Sequence, residues 1–159
     1  MMDVFSQHMD LIKKSKFDFY HPKKFENQFE KKKKQKKILL TVDDAFESFY
    51  KEAWPYLKKN EIPFILFTST EPVGKNGYMT WDEIKEIDQS EIGHIGHHSH
   101  THEYLIDWTN DKIKTDLLEN IRRRLIIYIN QEYTIKNEGI EIKELKIKYK
   151  LGVFKGIKK

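Results

Sequence analysis

The amino-acid sequence predicts an α/β fold, parallel strands with outer helices, and three observations predict it. Ile38-Leu39-Leu40-Thr41-Val42 and Phe64-Ile65-Leu66-Phe67-Thr68 are short apolar runs of the kind that become buried strands. Between them Phe46, Phe49, Tyr50, Ala53 and Leu57 recur at three- and four-residue steps, so Glu47 to Asn60 reads as an amphipathic helix, and strand, helix, strand makes a parallel pair. The third observation is the stretch Ile92 to His102, which holds five of the seven histidines at the end of another short strand, Glu91 to Gly96.

The remaining elements follow in chain order. Residues 1–30 mix aromatics with lysines, and His21-Pro22 marks a turn before a short helix from Lys23 to Glu30. Lys31 to Lys37 is the densest charge run; it reads as a solvated loop or as a patch for an acidic polymer, although no aromatic interleaves its lysines. Pro55 should kink or break the first core helix. Thr70 to Tyr78, with Pro72, Gly74 and Gly77, is a loop at the same end as the acids Asp43 and Asp44. Thr80-Trp81-Asp82-Glu83 is a capping box opening a helix to about Gln89. Gly93 and Gly96 indicate close backbone approach or unusual dihedrals. Thr109-Asn110 caps a helix whose apolar stripe is Ile113, Leu117, Ile121 and Leu125. Leu125 to Ile129 and Tyr149 to Phe154 read as two more strands, with a helix from Glu138 to Lys148 between them.

Composition narrows the function classes. A chain of 159 residues forms one domain, and 29 basic against 25 acidic residues with a hydrophobic share of 38% give it a wide, solvated, basic surface. With no cysteine, disulfides, thiolate metal sites and thiol nucleophiles are excluded. No run is apolar and long enough for a membrane span, and the first residues lack the plan of a signal peptide, so the chain as written reads as cytoplasmic.

His98 and His102, with three residues between them, can turn both rings toward one ion if the backbone there coils. A catalytic zinc held by two histidines takes one more protein group, usually a carboxylate. Asp43-Asp44 supplies acids directly after a buried strand, where α/β folds carry their chemistry. The residues alone leave alternatives open: Asp44 followed by Glu47 is also a helix-capping arrangement, and His98-x-His100 is the pair of another class of metal-dependent hydrolase.

Leu40-Thr41-Val42-Asp43-Asp44-Ala45 resembles the first motif, T-F-D-D-G, of the polysaccharide deacetylases (the NodB-like domain, carbohydrate esterase family 4). His98-Ser99-His100-Thr101-His102 matches their second, H-[S/T]-x-x-H, and the similarity runs from about Lys37 to Leu118. The resemblance implies a (β/α) barrel of that type, incomplete or distorted here, since 159 residues fall short of the about 250 of a full barrel. It divides the chain into a lead-in segment with its lysine-rich loop, 1–36, and a partial deacetylase-like domain, 37–159. It also implies Asp44, His98 and His102 as ligands of a divalent metal, Zn2+ by default, and Asp43 as general base. The reaction implied is metal-dependent removal of N-acetyl or O-acetyl groups from a sugar or polysaccharide, with an N-acetylated glycan as substrate. No nucleic-acid specificity is implied, and the family's usual place of action is the cell envelope.

The family pattern is not followed throughout. Its third motif, R-x-P-[F/Y/W]-G, has only a loose counterpart in Ile127 to Tyr133, and no histidine follows His102 to fill the fifth, L-x-H. The chain after about residue 120 therefore reads as truncated or degenerate, and a catalytically impaired metal- or glycan-binding remnant is the alternative function. Ser99 and Thr101 are expected to hold the ligand loop through local backbone hydrogen bonds, and His100 to point away from the ion.

Overall fold

The computed structural model describes residues 2–24 and 36–129, which lie, but for Ile129, in the unit Met1–Tyr128. The expected strand at 149–154, the helix at 138–148, residues 130–133 of the loose third-motif match and most of the lysine run lie outside the described residues. Pro22–Lys24 is a single 3-10 turn.

Helix α1 (Met2–Lys14) presses Phe5, Met9 and Ile12 on the core. The apolar run at 38–42 is not one strand. It divides at Leu39 into β2 (Lys37–Ile38), which pairs in parallel with β1 (Asp18–Phe19), and β3 (Leu40–Asp43). Strand β3 joins β4 (Phe64–Thr68) and β5 (Gly93–His97) in a parallel sheet of order β3-β4-β5, which does not close into a barrel among the described residues.

The connections are helical. Glu47 and Ser48 lead into a π-helical stretch, Phe49–Ala53, and then α2 (Trp54–Lys59), which has Pro55 in its first turn, so the winding changes just before the proline. Proline has no N–H to return to the preceding turn and its ring crowds the carbonyl there; the wider π winding, closed by the Trp54 N–H on the Phe49 carbonyl, accommodates both. Helix α3 (Trp81–Gln89) opens with the expected capping box: Thr80 Oγ1 accepts from the Glu83 N–H at 3.3 Å and Glu83 Oε2 accepts from the Thr80 N–H at 2.7 Å.

Register fixes which side chains share a face. Leu40, Phe64 and Gly93 are level, as are Val42, Leu66 and Ile95, and these point at α2 and α3, where Leu57, Phe64, Leu66 and Ile87 are fully buried. Thr41, Ile65 and His94 are level on the opposite face, as are Asp43, Phe67 and Gly96. The two strand glycines serve close approach, not positive φ. A Cβ on Gly93 would overlap the Ile87 carbonyl oxygen of α3, and one on Gly96 would overlap the Phe67 ring.

Helix α4 (Asn110–Ile129) corrects two expectations. Leu125 to Ile129 continues the helix instead of forming a strand, because the apolar residues at four-residue steps run on into Leu125 with no glycine or proline to stop them. The face it buries is turned away from the expected stripe only in part. Leu125 is buried and Ile113 and Ile121 are half-buried, but Leu117, with Leu118 beside it, is 42% exposed (Leu118 40%), whereas Asp116 and Asn120 are buried at 5% and 1%. Helix α4 is rotated so that polar side chains meet backbone groups that need partners.

Gly93→Ala should lower stability by about 1–3 kcal/mol. The carbonyl it strikes is fixed, accepting from both the N–H and the Oγ of Ser90. Urea unfolding should show a lower midpoint at unchanged slope; a wild-type midpoint would contradict this packing.

Candidate metal centre

Strand β3 ends at Asp43, and the chain reverses through Asp44 and Ala45, both in the left-handed region at φ 74° and 58°. The turn is propped from two sides. The Asp44 N–H donates to the Phe67 carbonyl on β4, and the Ala45 carbonyl accepts from the Met79 N–H, each at 2.9 Å. Phe46 bridges Tyr78 with their rings stacked, and the Glu47 N–H donates to the Gly77 carbonyl. The expected loop at 70–78 is thus the support of the acid turn, and Gly74 and Gly77, at φ 82° and 85°, let it fold back. The capping alternative for Asp44 is not realised, since Glu47 pairs with Lys51 and no side chain caps the helix start.

Strand β5 leaves the sheet one residue beyond the level of Asp43, and its next residues return both rings to the acid. His98 Nε2 lies 3.4 Å and His102 Nε2 3.0 Å from the same oxygen, Asp44 Oδ1. One ligand atom from each of the three residues lies within 4.8 Å of the others. That carboxylate oxygen is buried and has no hydrogen-bond partner among the described residues, a costly state for an anion that is not coordinated. Ligand atoms about 2.1 Å from a tetrahedral ion stand about 3.4 Å apart. The spacing and the two-nitrogen, one-oxygen donor set therefore fit a divalent cation of the zinc type. The side chains of His98 and His102 are 36% and 50% exposed, so the trio opens to solvent on one side.

Asp43 ends the same strand, exposed, with no hydrogen bond or ion pair from its side chain among the described residues. His100 stands apart: its Nδ1 faces Thr70 Oγ1 at 2.8 Å, so the His98-x-His100 pairing is not formed.

Ser99 and His102 also adopt positive φ, 60° each. Such conformations cost of order 1–3 kcal/mol per residue and persist only where the surroundings impose them. Ser99 acts as its position predicts, its Oγ accepting from the His102 N–H at 3.0 Å. Thr101 instead donates its hydroxyl to Asp116 on α4 at 3.0 Å. Asp116 also accepts from the N–H groups of His100 and Thr101 at 2.7 and 2.9 Å. Asn120, one turn on, donates to the carbonyls of Thr68 and Ser99 and faces His97 Nδ1 at 2.5 Å. Sequence reasoning passed over both. The available signal was a pair of poor helix formers at i, i+4 inside a helix, where they are expected only with a partner.

A profile of the family described as Polysaccharide deacetylase matches residues 30–131, well over half of the chain. "Putative polysaccharide deacetylase YxkH" of Bacillus subtilis (strain 168) is 31% identical over 68 residues, 43% of this chain and 24% of its own length. The Streptococcus pyogenes deacetylase PplD, solved in complex with acetate, superposes with a TM-score of 0.67 at 24% identity, covering 82% of this chain and 57% of that one. IcaB from Ammonifex degensii does so with a TM-score of 0.64 at 25% identity, covering 81% and 60%. The chain thus spans less than two thirds of the length of each of these relatives.

His94, on the sheet face opposite the helices, is held below the ordinary imidazole pKa of 6.5, first by burial and then by the Arg124 charge, with Asp88 opposing. The folded state then binds this proton less readily than the unfolded chain, so stability should be full above 6.5 and fall as pH drops through the lowered value. Unfolding midpoints measured at pH 7.5 and 5.5 should differ less in His94→Gln than in the wild type; an equal acid loss would assign it to other groups.

Proposed function

The chain belongs to the polysaccharide deacetylase family, and from that premise we propose that it is a metal-dependent hydrolase removing N-acetyl, or O-acetyl, groups from a polysaccharide. The observation that carries the proposal is the convergence of His98 Nε2 and His102 Nε2 on a buried Asp44 oxygen that has no hydrogen bond among the described residues. Asp44, His98 and His102 are the ligands, and Zn2+ is the cation their donor atoms suit best. When bound, such an ion polarises an acyl carbonyl and acidifies water toward neutrality.

Asp43 is the general base, taking the proton of the water that attacks the acetyl carbon. Its side chain is exposed beside the proposed ligand acid and open to substrate. Adjacent carboxylates divide the labour because coordination keeps one charged while the other stays available to a proton. The carbon–nitrogen bond then breaks and acetate forms. Once protonated, the Asp43 carboxyl can return the proton to the departing nitrogen, which leaves as a neutral amine rather than as an amide anion. The substrate is an N-acetylated glycan, reached from the solvent side of the trio.

Acetate release from N-acetylglucosamine oligomers, with Zn2+ or Co2+ added, tests the reading. Asp44→Ala, His98→Ala and His102→Ala should lose both metal and turnover, and a chelator should do the same to the wild type. His100→Ala should keep its metal. Asp43→Asn should bind metal normally while turnover falls about 10^2- to 10^4-fold. Stoichiometric metal without turnover in the wild type would instead favour the impaired, metal- or glycan-binding relative.

A further inference from the structure

The five-residue segment from His98 to His102 holds two of the proposed ligands at its ends and has two of its residues in the left-handed region. Its backbone is almost fully committed. The His98 N–H donates to the Thr68 carbonyl, the His98 carbonyl accepts from Ser69 Oγ, and the His100 carbonyl accepts from the Glu71 N–H. Those three bonds come from the end of β4. The opposite side is held by two buried polar side chains of α4, Asp116 with three bonds into the segment and Asn120 with one, plus its bonds to Thr68 and His97. Spaced at i, i+4, the two lie on one face of the helix, one above the other.

We infer that Asp116 and Asn120 are positioning residues of the metal centre: their bonds go to the ligand segment, not to the ligand nitrogens, yet they set the affinity of the Asp44, His98 and His102 site. The inference rests on the reading of that site given above. Without the α4 bonds, Ser99 and His102 have less to keep them at φ 60°, and relaxation toward ordinary dihedrals would swing the two rings off their common point. Preorganisation by such outer partners is worth about 10- to 100-fold in metal affinity. Asp116 can act this way because a carboxylate is acceptor-only and three donors converge on it. Asn120 can because its amide offers two N–H groups to two carbonyls at once.

Co2+ titration of the full chain, followed by visible absorption, separates affinity from fold, while thermal melting of the metal-free protein reports stability. Asp116→Asn replaces one acceptor oxygen with an amide NH2 that faces donors, and Asn120→Asp removes both N–H groups. Each should weaken Co2+ binding about 10- to 100-fold while leaving the tetrahedral band where the wild type has it, because the ligands themselves are unchanged. Leu117→Ala, an exposed site on the same helix, should bind as the wild type does. A lower melting temperature with affinity kept within about twofold would reduce the pair to a structural role and overturn the inference, since removing an affinity-setting outer partner is worth far more. Should the α4 variants not fold, Thr101→Val, which deletes one hydroxyl, decides: weaker Co2+ binding supports the inference and wild-type affinity overturns it. Wild-type protein that binds no Co2+ at all is a separate failure, that of the metal-centre reading, and the inference falls with it.

Discussion

The constraint on which everything else depends is the parallel register of β3, β4 and β5. Asp43, Phe67 and Gly96 are level, so the acid turn leaves the sheet at the same edge, and within one residue of the same height, as the histidine segment. Only then can Asp44, His98 and His102 bring ligand atoms within 4.8 Å of one another. A one-residue slip of β5 would send its alternate side chains to the wrong face and carry the imidazoles away from the carboxylate. Gly93 and Gly96 guard against that slip, since each occupies a place with no room for a Cβ. Packing on both faces of the sheet, Gly93 against Ile87 and Gly96 against Phe67, therefore sets the geometry of the polar edge.

The second constraint is backbone strain. Four of the five non-glycine residues with positive φ among the described residues are Asp44, Ala45, Ser99 and His102, which lie in the two turns that form the centre. Asp and His tolerate that region better than most residues, Ala and Ser less well. What fixes both turns is a shell of backbone bonds borrowed from neighbours: Phe67, Gly77 and Met79 for the acid turn, Thr68, Ser69 and Glu71 for the histidine segment. β4 and the loop after it contribute to both. The middle strand of the sheet is thus also the common support of the two turns that carry the candidate ligands.

What was legible in the sequence follows from which signals are local. The strand Phe64–Thr68, the Thr80 capping box and the break at Pro55 each depend on a few adjacent residues and a rule of backbone chemistry, and each appears where those residues put it. The site was legible for a different reason, since five histidines in one stretch and two acids after a strand have few structural uses. The division of the first apolar run at Leu39 was not legible, because pairing of its first half with Asp18–Phe19 is a long-range choice. Helix α1 was missed as well; Phe5, Met9 and Ile12 are spaced for a helix, but sparse apolar residues among charges give a weak periodicity.

Helix α4 shows where periodicity misleads. Apolar residues at four-residue steps argue that Ile113, Leu117, Ile121 and Leu125 face inward, yet Leu125 alone is buried, Ile113 and Ile121 are half-buried and Leu117 is exposed. The surface that Asp116 and Asn120 meet is the peptide backbone of buried Thr68 and of half-buried Ser99 to Thr101, whose N–H and C=O groups need partners. Leaving one such group unpaired costs about 1–3 kcal/mol, and α4 satisfies four of them through Asp116 and Asn120. Burying Leu117 in their place would gain at most about 1.5–3 kcal/mol. Several polar groups against one leucine decide the rotation of the helix, and Leu117 and Leu118 are left at the surface. An apolar stripe thus gives a helix's facing only when the partner surface is apolar too; beside a strained turn whose backbone groups need partners, the polar residues choose.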